Sequence, residues 1–97
     1  MTFAHPEYLV STEELAAQIG DPNLRILDCT VYLRMQPGDD GKQRVVIESG
    51  RANYEQGHIP GAQFADLIND LSDPNASLRF TAPSAEQFAA AMSRLGV

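Results

Sequence analysis

The chain has 97 residues, 43% hydrophobic and 21% charged, with a formal net charge of -6; that length allows one domain, near the lower end of what builds a good core unaided. Seven basic residues against thirteen acidic ones argue against a nucleic-acid surface, which needs Lys and Arg clustered over phosphates. One cysteine can make neither an internal disulfide nor a cysteine-based zinc site within the chain.

Met1 to Tyr8 read as an irregular lead-in, without the basic start and apolar run of a signal peptide. No stretch approaches the roughly 18 apolar residues that a membrane helix requires. The expected setting is the cytoplasm, with no membrane or nucleic-acid partner. Ser11-Thr12-Glu13-Glu14 fits a capping box, the Ser11 hydroxyl and the Glu14 carboxylate satisfying exposed N–H groups reciprocally. The helix is predicted over residues 12–19, with Leu15, Ala16 and Ile19 on its buried face and Gly20-Asp21-Pro22 as its stop. Leu24 to Asp28 follows as a short, mostly apolar run, the pattern of a central strand in a parallel sheet.

Val31 to Met35 and Arg44 to Glu48 are predicted to pair as an antiparallel hairpin around the polar loop from Pro37 to Lys42. Arg51 to Gln56 reads as about a turn and a half of helix, with Gly57 placed as a left-handed cap. Ile59-Pro60-Gly61 supplies a turn in which glycine takes the positive φ of a type II turn. Ala62 to Ala65, centred on Phe64, is short and apolar enough to enter a sheet. Asp66 to Phe80 is predicted as loop with short helical pieces. Ser84 then caps a second clear helix, with Gln87 at the capping-box position, Phe88, Ala91, Met92 and Leu95 on one face, and Gly96 as its end. Strand–helix alternation calls for another parallel strand next, beginning at about Val97. Only two convincing core strands are present, so the chain is expected to be a fragment, residues 1–97 forming part of a larger fold.

The run His58-Ile59-Pro60-Gly61-Ala62 resembles an element of the rhodanese family of sulfurtransferases. Leu9 to Leu15, Leu24 to Asp28, Val31-Tyr32-Leu33, Leu71 to Pro74, Pro83 to Phe88 and Leu95-Gly96-Val97 resemble, in the same order, the first domain of its two-domain members, the thiosulfate and 3-mercaptopyruvate sulfurtransferases. The resemblance implies a rhodanese-like α/β fold, a parallel sheet flanked by helices, here incomplete. It implies a reaction in which a cysteine thiolate takes up a sulfane sulfur as a persulfide and passes it to cyanide or a thiol. The implied partners are a small anionic sulfur donor, that acceptor and a second rhodanese domain, with no cofactor and no metal. In two-domain members the reactive cysteine lies in the second domain, so this chain is expected to be non-catalytic scaffold.

Cys29 follows a predicted parallel strand, where α/β sites gather. Yet no glycine-rich cradle or helix start comes after it, and Asp28 would raise a thiol pKa. It is read as a small structural residue of the core. The candidates at a substrate site or domain interface are Arg51, His58 and Asp66. His58 either braces the turn or faces the second domain's active site. Arg51 either pairs with Asp66 or Glu55, or lends positive charge to an anionic donor, and Asp66 shares that ambiguity. Two other classes compete: a rhodanese-like module that only binds partners, and, last, a phosphatase on the same fold, whose arginine-ended phosphate loop nothing here matches.

Overall fold

The computed structural model describes residues 2–97. The architecture is mixed α/β, with a parallel strand pair and flanking helices, as the rhodanese-like resemblance implied. The lead-in carries one 3₁₀ turn, Pro6–Tyr8, with Met1 outside the described residues.

Helix α1, Thr12–Gln18, opens as its sequence requires. Ser11 holds extended backbone and its hydroxyl accepts the Glu14 N–H at 3.1 Å, while Glu13 and Glu14 place negative charge at the positive end of the helix. The return bond from the Glu14 carboxylate is not formed, so the capping box is half made. Gly20, at φ +96°, turns the chain out. The expected apolar face is not buried: Leu15 is half-buried, and Ala16 and Ile19 are exposed. The parallel sheet, two residues on each strand, is too small a surface to cover such a face.

That sheet is β1, Leu27–Asp28, parallel to β4, Gln63–Phe64. The Gln63 N–H donates to Ile26 and the Ala65 N–H to Asp28, both at 2.9 Å. Ile26 thus joins the ladder through its carbonyl while residues 24–25 only run up to it, and the observed strand is shorter than the predicted run from Leu24 to Asp28. Arg25 fastens this approach: its Nε donates to the Gly96 carbonyl at 2.7 Å and its Nη1 to Pro22 at 2.8 Å.

Strands β2, Val31–Pro37, and β3, Gln43–Ser49, form the antiparallel hairpin and extend past its expected ends. Its tip is closed by Gly38 N–H to Lys42 at 2.7 Å and by the Asp40 carboxylate accepting the Lys42 N–H. Arg34 and Glu48 pair across the strands at 3.2 Å while more than half exposed, a contact of about 1 kcal/mol at most. Gly50 joins the hairpin to α2, Arg51–Gln56, and its N–H donates to Thr30 at 2.9 Å. A β-carbon there would sit 2.8 Å from the Thr30 side chain and carbonyl. Gly57 is not left-handed; at φ 175° it is extended backbone.

The loop after β4 is built of turns rather than helical pieces. Side chains hold much of it: Ser72 donates to the Leu67 carbonyl, and Gln87 Nε2 donates to the Asp70 carbonyl at 3.0 Å and the Ser72 carbonyl at 2.9 Å, while one backbone bond, Asp73 N–H to the Thr81 carbonyl at 2.8 Å, closes the loop. Gln87 thus spends its amide on the loop instead of closing a capping box. Helix α3, Ala85–Arg94, starts at Ser84, whose hydroxyl accepts the Gln87 N–H. It ends in a Schellman motif: Val97 N–H to Met92, Gly96 N–H to Ser93, and Gly96 at φ +83°.

The core is small. Ala62, Phe64 and Ala65 around β4, with Ala91 of α3, are its buried apolar residues. Phe88, expected on the apolar face of α3, is 49% exposed.

Candidate functional site

The side chains singled out from the sequence converge around β4. Arg51 opens α2, Tyr54 lies one turn on, His58 follows the helix, and Phe64 and Asp66 come from β4 and its carboxyl end. The first four form a stack. The Arg51 guanidinium lies 4.7 Å from the Phe64 ring centre, Tyr54 is tilted against Phe64 at 5.6 Å, and His58 stacks on Tyr54 at 3.8 Å and 15°. The turn sets this geometry: Gly61, at φ +82°, lets the Ala62 N–H donate to Ile59 at 2.9 Å, and the Tyr54 hydroxyl donates to the Ala62 carbonyl at 2.6 Å.

His58 Nδ1 lies 2.7 Å from the Tyr54 carbonyl. A carbonyl only accepts, so Nδ1 carries the proton, and in the neutral ring Nε2 keeps the lone pair. The extended Gly57 makes this return possible, because it brings the ring back over the helix it has just left. Arg51 forms no ion pair with Asp66 or Glu55 among the described residues. Its flat guanidinium finds the Phe64 face instead, although its charge still acts on Asp66.

Asp66 is 5% exposed. One carboxylate oxygen accepts the Ile68 and Asn69 N–H groups at 3.0 Å, and the other accepts Asn69 Nδ2 at 2.9 Å. Burial opposes its ionisation most strongly. The bonds from Asn69 and Ile68 and the Arg51 charge together outweigh burial, so its pKa lies below the usual carboxylate value. Asp28, at the end of β1, is also lowered, first by the Thr30 hydroxyl and then by the Thr30 N–H, with a smaller help from the His58 charge.

Cys29 follows directly. It is exposed rather than packed in the core, and the chain runs on into β2 rather than into a helix. Desolvation first and the Asp28 carboxylate second push its thiol pKa up. A nucleophilic cysteine needs the opposite, a thiolate stabilised by converging N–H groups or positive charge. No cluster of three or more metal-binding side chains occurs among the described residues, and no described helix is long and apolar enough to cross a membrane.

The sequence signalled Arg51, His58 and Asp66 but missed Tyr54, which touches His58, Phe64 and Ala62. Its spacing was the available signal, since a tyrosine four residues before a histidine across a helix end places ring against ring.

No family model matches the chain. Curated relatives do. It is 37% identical over 91 residues to thiosulfate/3-mercaptopyruvate sulfurtransferase 2 of Arabidopsis thaliana, covering 94% of this chain and 23% of that protein. It is 39% identical over 90 residues to 3-mercaptopyruvate sulfurtransferase of Escherichia coli K12, covering 93% and 28%. It is 34% identical over 97 residues to a sulfur carrier protein of Thermus thermophilus, covering 100% and 27%. The chain spans about a quarter of the length of these relatives.

Proposed function

The chain is kin, over nearly its whole length, to the rhodanese-family sulfurtransferases, and on that premise we propose that it is scaffold from the first domain of a two-domain sulfurtransferase. The whole protein moves a sulfur atom onto a cysteine thiolate, breaking the S–S bond of thiosulfate with release of sulfite or the C–S bond of 3-mercaptopyruvate with release of pyruvate, and delivers the outer sulfur of the resulting persulfide to cyanide or a thiol. This chain supplies one wall of that site and not the thiol.

The observation that carries the reading is the state of Cys29. The only cysteine in the chain is exposed, sits beside a carboxylate and leads into a strand rather than a helix start, and its thiol pKa is moved upward, the opposite of what a sulfur nucleophile needs. The stack from Arg51 to His58 gives the wall its shape. Arg51 offers a guanidinium to an anionic donor, and the His58 ring, fixed through Nδ1, offers Nε2 to a proton or a substrate oxygen.

The test is sulfur transfer from thiosulfate to cyanide, read as thiocyanate. In the full-length protein Cys29→Ser is expected to leave turnover within about twofold of wild type, whereas loss of a nucleophile costs orders of magnitude. Turnover by the 97-residue chain alone that disappears in Cys29→Ser would overturn the reading.

A further inference from the structure

His58 is held by a clamp whose parts all lie between Tyr54 and Phe64. Its ring stacks on the Tyr54 ring at 3.8 Å and 15°, and its Nδ1–H donates to the Tyr54 carbonyl at 2.7 Å. Tyr54 is itself fixed at two further points, its ring tilted on Phe64 at 5.6 Å and its hydroxyl donating to the Ala62 carbonyl at 2.6 Å. Phe64 and Ala62 are buried, Tyr54 is half-buried and His58 is exposed, so the clamp ties an outward-facing imidazole to the core. A neutral ring held on one face and at Nδ1 keeps a single tautomer, with the lone pair on Nε2.

Thiosulfate and 3-mercaptopyruvate make different demands on such a group. Thiosulfate carries no proton on its outer sulfur, and sulfite leaves with the electron pair of the S–S bond, so no proton has to move. 3-Mercaptopyruvate carries a thiol proton. When a cysteine thiolate takes its sulfur, the C–S electron pair leaves on the enolate of pyruvate. The products are a persulfide anion and pyruvate, and the balance closes when the thiol proton passes to the enolate carbon. An imidazole with its lone pair on Nε2 can accept that proton from sulfur and return it to carbon. Given the sulfurtransferase reading on which this rests, we propose that His58 Nε2 carries that proton and that Tyr54 is the positioning residue that aims it. The Tyr54–His58 pair is thereby specific to a donor that loses its sulfur from carbon, whereas Arg51 can serve either anion.

The test compares thiocyanate formation by the full-length protein from 3-mercaptopyruvate and from thiosulfate, each with cyanide. His58→Gln is expected to lower kcat/KM for 3-mercaptopyruvate about a hundredfold, the smaller end of general acid–base effects, and to leave thiosulfate within about twofold. Tyr54→Leu is expected to lower the 3-mercaptopyruvate value roughly two- to tenfold, as loss of an aromatic pair does, and to add nothing further in the His58→Gln background. Tyr54→Phe keeps the ring and restores most of the loss. In nitrogen NMR spectra of the imidazole, wild type and Tyr54→Phe show the Nδ1–H tautomer, and Tyr54→Leu a mixture with Nε2–H. Thiosulfate is the control for folding, because a tyrosine that merely braces the turn lowers both donors alike. Equal losses with both donors, no loss with 3-mercaptopyruvate, transfer from thiosulfate alone, or the same Tyr54→Leu cost in both backgrounds overturns the proposal by itself. No thiocyanate from either donor overturns the sulfurtransferase reading with it.

Discussion

Removing the Asp66 carboxylate would strip two backbone N–H groups and one amide of their acceptors in a place water does not reach freely. Asp66→Ala is therefore expected to cost roughly 1–3 kcal/mol, the penalty of buried donors left unpaired. Asp66→Asn keeps one acceptor oxygen and should cost less; urea midpoints of the full-length protein order the two. The same carboxylate sets a pH dependence together with Asp28. Both have folded pKa values below the ordinary one, so the unfolded chain takes up protons first as the solution is acidified. Their contribution is complete above about pH 4, the ordinary carboxylate value, and is lost as pH falls through the lowered folded values. Asp66→Asn should flatten the fall in stability below that point, and an unchanged acid slope would count against the bonding described here.

At the scale of elements, two glycines that flank α2 make opposite demands. Gly50 has no room for a β-carbon against Thr30, so Gly50→Ala should cost roughly 1–3 kcal/mol through forced separation of α2 from the hairpin. Gly57 is extended and has open space around it. Gly57→Ala should be neutral or stabilise by roughly 0.4–1 kcal/mol by restricting the unfolded chain. Thermal melts of the two variants separate the cases, and a costly Gly57→Ala would restore the left-handed cap that the sequence suggested. Local chemistry was legible here: Ser11 and Ser84 as caps, Gly61 in its turn, Gly96 as a helix end, and the hairpin all follow from residue type and spacing. What reached across the chain was not. Arg25 bonding to Gly96, Gln87 reaching Asp70 and Ser72, and Arg51 choosing Phe64 over Asp66 depend on which surfaces meet, and a one-dimensional pattern holds no such information. The buried face assigned to α1, and Phe88 on that of α3, failed for the same reason, since periodicity names the apolar side of a helix but not what lies against it, while Ala91 is buried and Met92 and Leu95 half-buried as expected.

The whole molecule exposes 7563 Å², where a compact domain of 10.6 kDa exposes roughly 5,500 Å². Its radius of gyration is 16.7 Å, against about 12.5 Å for a compact chain of this length. The excess, roughly 2,000 Å², supports the proposed place in a larger fold over a module that only docks partners, because one side of a standard protein interface covers about 800 Å². A single docking partner leaves most of that excess open. Continuous packing inside a domain can cover it, with β1 and β4 joined by further strands and Ile19 and Phe88 closed over. The 97-residue chain produced alone is accordingly expected to bind the dye ANS and to melt over a broad range, as loosely packed apolar surface does. The full-length protein should suppress the dye signal and melt cooperatively, with α1 and α3 gaining hydrogen-exchange protection relative to the isolated chain. A sharp melt and no dye binding by the isolated chain would show that these 97 residues close their own core, and the scaffold role would then fall to a self-sufficient partner-binding domain.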